Sequence, residues 1–117
     1  MPNMPSFQPI QSQLANDPEM VELIDLFVGE LPKRIASLTE AWRTREFESL
    51  QRLAHQLKGS CAGYGFPTIG KAAATVEDCI RTHSPESIKL EELAAGVKEL
   101  ITLCNRATPS RNQSNAA

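Results

Sequence analysis

The sequence predicts an all-α fold, an antiparallel four-helix bundle with room for a short N-terminal lid helix. Apolar residues recur every three to four positions along four separate stretches. No stretch of useful length alternates with period two, and the breaks between stretches are short clusters of Gly, Pro and polar residues. Four amphipathic helices joined by short connections bury their stripes most simply by packing antiparallel around one core.

The first helix is announced by NDPEM at 16–20, where Asp17 can cap, Pro18 suits the first helical position and Glu19 complements the helix dipole. Its stripe runs through Val21, Ile24, Phe27 or Val28, Leu31, Ile35, Leu38 and Trp42. Pro32 falls inside it and is expected to kink it. The second helix spans about Glu46 to Ala62, with Leu50, Leu53, Leu57 and Cys61 aligned, until Gly63 and Gly65 stop it. The third starts at Pro67 and carries Ile69, Ala73, Val76 and Ile80 to about Thr82. After HSPES, the fourth runs from about Ser87 to Arg106 through Leu90, Leu93, Val97, Leu100 or Ile101, and Cys104. This divides the chain into an N-terminal segment, 1–16, where a short helix fits around Ile10 to Leu14; a bundle, 17–107; and a polar, disordered tail, 108–117.

The chain has 117 residues, the size of one domain, and 41% of them are apolar, enough for a modest core. Twelve Lys and Arg against fourteen Asp and Glu give a net charge of −2, spread without a basic face, which speaks against nucleic acid or an anionic membrane as partner. No apolar run is long enough to span a bilayer, and MPNMPSF lacks the features of a signal peptide. Cys61, Cys79 and Cys104 lie apart on helical patterns and read as buried small hydrophobes in a reducing compartment. The expectation is a cytoplasmic monomer, and Met1 with the polar tail favours a standalone protein.

Chemistry concentrates in HQLKGSCAGYGFPTIGKAAA, 55–74. Its second half has the G-x-x-x-x-G-K spacing of a nucleotide-binding loop, from Gly65 to Gly70 and Lys71. That reading fails. Ala72 stands where a magnesium-binding hydroxyl is needed, Pro67 removes a backbone N–H, and no strand precedes the motif.

The first half fares better. On a helical wheel with Leu50 at zero, the second helix buries the arc within about 60° of Leu50, while His55 falls at about 140°. Lys58 lies at about 80°, Gly59 at about 180° and Ala62 at about 120°. An outward imidazole is either an ordinary solvated side chain or a nucleophile for phosphoryl transfer, since a neutral ring is available near neutral pH. Under the second reading Lys58 offsets the phosphoryl charge and Gly59 clears space for another protein's active site. No second histidine or acidic cluster on that face suggests a metal, and no nucleophile completes a triad.

AHQLKGSCAGYG, 54–65, resembles the signature of histidine-containing phosphotransfer (HPt) domains of two-component phosphorelays: Ala-His-x-Leu-Lys-Gly-Ser with a glycine ten residues after the histidine. LIDLFVGELPKRIASLTEAW, 23–42, is similar to the helix that precedes the signature, and Val76–Glu77 to the Leu-Glu pair that follows it. The resemblance covers roughly 17–105. It implies a four-helix bundle whose exposed histidine takes a phosphoryl group through Nε2 from the aspartate of a response-regulator receiver domain and relays it to another receiver. Carried over, His55 is the phosphoacceptor, Lys58 the charge partner and Gly59 the residue that keeps access open. Gln51, one turn before His55, is the candidate for a hydrogen bond to the ring or phosphoryl oxygens, ahead of Gln56. Ala62 and Ser60 are further binding positions, Ser60 being equally suited to a helix–helix contact. Gly65 reads as a helix terminator ahead of a phosphate contact, and His83 as a surface or helix-end residue; Glu77 either orients a neighbouring side chain or is solvated, and a structural role is favoured.

The resemblance also implies a phosphocarrier without kinase activity and without a cofactor of its own, magnesium belonging to the partner receiver. Receivers, and a hybrid sensor histidine kinase, are the implied partners. The alternative is a helical-bundle adaptor, a degenerate HPt that binds signalling proteins unphosphorylated; loss of the histidine or lysine would favour it, and both are present. No ATP-binding segment occurs in the chain.

Overall fold

The structure, a computed structural model, describes residues 8–109. Four helices follow in order: α1 Val21–Arg43, α2 Phe47–Tyr64, α3 Pro67–Arg81 and α4 Leu90–Arg106, with a 3-10 turn at Pro85–Ser87 before the last. Each packs on its neighbours in a closed ring, α1 on α2, α2 on α3, α3 on α4 and α4 on α1, with α2 and α3 the most extensive pair. Among the described residues the one β-type pairing is an isolated bridge between Ile10 and Ala107. This is the expected all-α four-helix bundle.

The expected stripes supply the core, with one exception: Leu90, at the first position of α4, is 47% exposed, while Val21, Ile35, Trp42 and Leu53 are half-buried at the stripe edges. Ile24, Leu31 and Leu38 of α1 meet Leu50, Leu57 and Cys61 of α2, Ile69, Ala73 and Val76 of α3, and Leu93, Val97 and Leu100 of α4 in one core. Phe27 stacks on Tyr64 with ring centroids 5.0 Å apart and tilts against Phe66 at 5.7 Å, which fastens the first half of α1 over the end of α2. Cys61 and Cys104 are buried as expected, and burial pushes both thiols up to about 12, leaving them protonated and inert. Cys79 departs from the expectation: it sits at the edge of the α3 stripe and is only half-buried.

Several boundaries differ from the sequence reading. Asp17 does accept a hydrogen bond, from the Glu19 N–H at 3.0 Å, and its carbonyl accepts from Met20 at 2.9 Å. These bonds close a separate turn, so α1 begins at Val21 rather than after Asp17. Pro32 does not interrupt α1; its ring is exposed, so the hydrogen bond it removes falls on the solvent side. α2 runs through Gly63 to Tyr64 and stops at Gly65, whose φ of 84° is the left-handed conformation glycine adopts without strain. α4 starts at Leu90, three residues later than expected, because Pro85–Ser87 form the 3-10 turn instead.

The expected lid helix around Ile10 to Leu14 is not one. Residues 8–20 form an extended strap followed by turns. Ile10 donates to the Arg106 carbonyl at 2.7 Å and accepts from Thr108 at 2.9 Å, and the Ser12 hydroxyl donates to the Tyr64 carbonyl at 2.6 Å. Those long-range bonds hold the backbone extended and compete with any local helix. The expected disordered tail falls almost wholly outside the described residues, apart from Thr108 and Pro109.

Candidate functional site

α2 places its apolar arc on the core, so the opposite face, carrying His55, Gly59 and Gly63, points outward. The His55 side chain is 64% exposed, and its Nδ1 lies 2.8 Å from Glu77 Oε2. A carboxylate accepts, so the ring N–H donates from Nδ1, and Nε2 is the nitrogen left without a partner among the described residues. Lys58 Nζ lies 2.8 Å from the other oxygen, Glu77 Oε1, as an ion pair set off the direct hydrogen-bond axis.

Glu77 is the group the sequence reading undervalued. Its side chain is 8% exposed, and it joins two outward residues of α2 from a buried position on α3. The Lys58 ammonium beside it holds its carboxyl below the ordinary value; the bond from His55 acts in the same direction, and burial opposes both. A signal was present. With Ile69 at zero on the α3 wheel, Glu77 falls at about 80°, at the edge of the apolar arc, where an acidic residue is half committed to the interior. What the sequence lacked was the α2–α3 pairing. That pair approaches closely at Gly70, where an added Cβ would lie 3.2 Å from Cys61 Cβ.

The other site expectations fare unevenly. Gln51 is half-buried, and the ring bond expected of it is made by Glu77 instead. Gln56, Gly59 and Ser60 line an open depression together with His55, and Ala62 is exposed on the same helix outside that lining. Gly59 faces open space: an added Cβ would meet nothing within 4 Å. Gly65 terminates α2 as expected, and His83 sits at the end of α3 with its ring 2.9 Å from the Cys79 carbonyl. Among the described residues no group of His, Cys, Asp and Glu is arranged to hold a metal ion. Among the described residues no helix is long and apolar enough to cross a membrane.

Across the depression stand residues of α1 and its approach: Met20, Leu23 and Arg34. Leu23 is 44% exposed and its neighbour Leu26 is 66% exposed, which places aliphatic surface beside the depression.

A family model described as Hpt domain matches residues 22–107. The chain is 24% identical over 101 residues to the phosphorelay protein LuxU of Vibrio harveyi, an overlap covering 86% of this chain and 83% of that protein. No solved structure matches.

Proposed function

The chain belongs to the Hpt domain family, and from that premise we propose that it is a histidine phosphotransfer protein carrying the phosphoryl group on His55 Nε2. The observation that carries this reading is the His55–Glu77 bond of 2.8 Å on an otherwise exposed ring. A carboxylate on Nδ1 fixes the tautomer in which Nε2 bears the lone pair.

The step balances as follows. The Nε2 lone pair attacks phosphorus of a phosphoaspartate on a receiver domain. The N–P bond forms, the P–O bond to the aspartyl carboxyl breaks, and the carboxylate leaves with its electron pair. No proton need move, because the ring keeps its Nδ1 hydrogen and becomes a cation that Glu77 already faces. Lys58 is close enough to turn from Glu77 to the new phosphoryl oxygens. Reversal onto a second receiver completes the relay. Magnesium and the aspartate belong to the receiver, so this chain is a carrier without kinase activity or a cofactor of its own. Exposed Leu23 and Leu26 beside the depression supply the apolar part of the receiver contact, and the carrier acts as a monomer.

The test is transfer of radiolabel from phosphorylated receiver domains of the source organism to this protein and to His55→Gln. The expected result is acid-labile, base-stable label on the native protein and none on the variant. Label retained by the variant would place the acceptor elsewhere; failure of every receiver with a folded native bundle would favour an unphosphorylated adaptor.

A further inference from the structure

Around α2, His55 has two different flanks. Lys58 and Glu77 occupy the α3 side; on the α1 side the depression continues past Gly59 and Ser60 to Arg34. Arg34 differs from the ion-paired arginines among the described residues. Arg43 is paired with Glu40 at 2.8 Å and Arg81 with Asp78 at 2.7 Å, both on the exposed surface. Arg34 is half-buried, its guanidinium stands 5.9 Å from the Phe27 ring centroid, and its Nε is buried without a hydrogen-bond partner.

A buried guanidinium N–H with nothing to donate to is costly; Nε itself is closed to solvent, so an incoming acceptor would meet the part of the guanidinium that lines the depression. Glu30, one turn earlier, lines the adjoining cavity with Arg34 without pairing with it, and among the described residues no acidic side chain lines the depression itself. The surroundings indicate what would arrive. Met20 and Leu23 make the adjacent wall apolar, and Gly59 leaves the floor open. An oxyanion there would be partly desolvated by those walls, the condition under which a charge pair discriminates between partners.

We propose that Arg34 is a specificity-determining residue of the docking face, which receives a surface carboxylate of the receiver domain lying across the α1–α2 depression. This rests on the receiver-docking reading above and adds to it the chemistry by which one receiver is told from another. Arg34 selects receivers that present an acidic side chain beside their phosphoaspartate and disfavours those that present a basic one.

The experiment measures initial rates of phosphoryl transfer from a phosphorylated receiver to the native protein, Arg34→Lys and Arg34→Glu, over a range of receiver concentration and ionic strength. Labelling by phosphoramidate, a small donor that needs no docking, is measured in parallel. The expected result for Arg34→Glu is a KM for the receiver raised roughly tenfold or more, with kcat moved far less. Arg34→Lys retains part of the affinity, and the rise of KM with salt seen for the native protein is lost or reversed in Arg34→Glu. A KM unchanged in Arg34→Glu while the native protein transfers normally would overturn the proposal. So would a loss of phosphoramidate labelling equal to the loss with the receiver, which would put Arg34 at the phosphoryl group. A native protein that takes label from no receiver would sink the docking reading itself, a different outcome from either.

Discussion

His55 stands between two flanks that are finished to different degrees. On the α3 side its needs are met within the chain: Glu77 takes the ring N–H on one oxygen and Lys58 lies against the other. On the α1 side, Arg34 Nε has no acceptor, Leu23 and Leu26 stand exposed, and Gly59 faces empty space. On the proposed function, the first flank prepares the nucleophile with this chain's own residues. The second has the composition of half an interface, with a guanidinium, aliphatic side chains and no bulk at the point of closest approach. On the proposed phosphocarrier reading, chemistry and recognition fall to different helices, α3 and α1, on either side of α2, and substitutions should separate them.

The largest effect belongs to the α3 flank. Glu77→Ala frees Nδ1 of its acceptor, lets the ring take either tautomer and leaves Lys58 without its partner. We expect transfer to His55 to slow on the order of tenfold to a hundredfold, the usual cost of removing a carboxylate that orients a functional histidine. Because the fault lies in the nucleophile, phosphoramidate labelling should slow as much as transfer from a receiver. Equal labelling of variant and native protein by the small donor would break the assignment of chemistry to this flank.

Next comes a contrast between two glycines of the signature. Gly65 holds φ at 84°, and an added Cβ would lie 2.5 Å from Ser12 Oγ and 3.0 Å from the Leu14 nitrogen. Gly65→Ala must strain the left-handed turn and displace the strap that donates to the Tyr64 carbonyl. A loss of about 2 kcal/mol is expected, a fall in Tm of roughly 8 °C for a domain this size, read by thermal denaturation. An unchanged Tm would mean the strap does not hold the end of α2.

Glu77 also makes stability depend on pH. Its carboxyl is held below the ordinary value in the folded protein, so folding favours the charged form. That contribution is whole above the unfolded-state value of about 4.3 and is lost as pH falls through the lower folded value. Tm of the native protein should therefore drop more steeply than that of Glu77→Gln between about pH 5 and pH 3. Parallel curves would show that the Lys58 pair contributes nothing net to the bundle.

What the sequence disclosed follows from the range of the forces involved. The helix stripes depend on residues three and four apart, and those around Leu50, Ile69 and Leu93 are buried as the period requires. The outward direction of His55 is likewise a local property of α2. Three things were hidden, two because they depend on residues far apart in the chain and one because a local turn competes with the helix start. The strap is extended because Ile10 bonds to Arg106 and Thr108, not because of anything within 8–20. Asp17 reads as a helix cap, yet its bond to Glu19 closes an independent turn before the helix. Glu77 meets His55 across 22 positions of sequence, which only the register of α3 on α2 can specify.

The smallest effect is the most discriminating, because the two flanks predict opposite signs for stability and function at one residue. Gly59 lies inside α2, where glycine costs roughly 0.5–1 kcal/mol against alanine, and nothing in this chain within 4 Å of the missing Cβ requires its absence. Gly59→Ala should therefore raise Tm by roughly 2–4 °C. If the open space is kept for a docked receiver, the same methyl should slow transfer from a receiver several-fold and leave labelling by phosphoramidate nearly as it was, since that donor is small enough to pass. A lower Tm would mean the fold itself needs the glycine. A higher Tm with undiminished receiver transfer would mean that no partner approaches the α2 surface at this point, and the contact would have to lie further along α1, around Leu26.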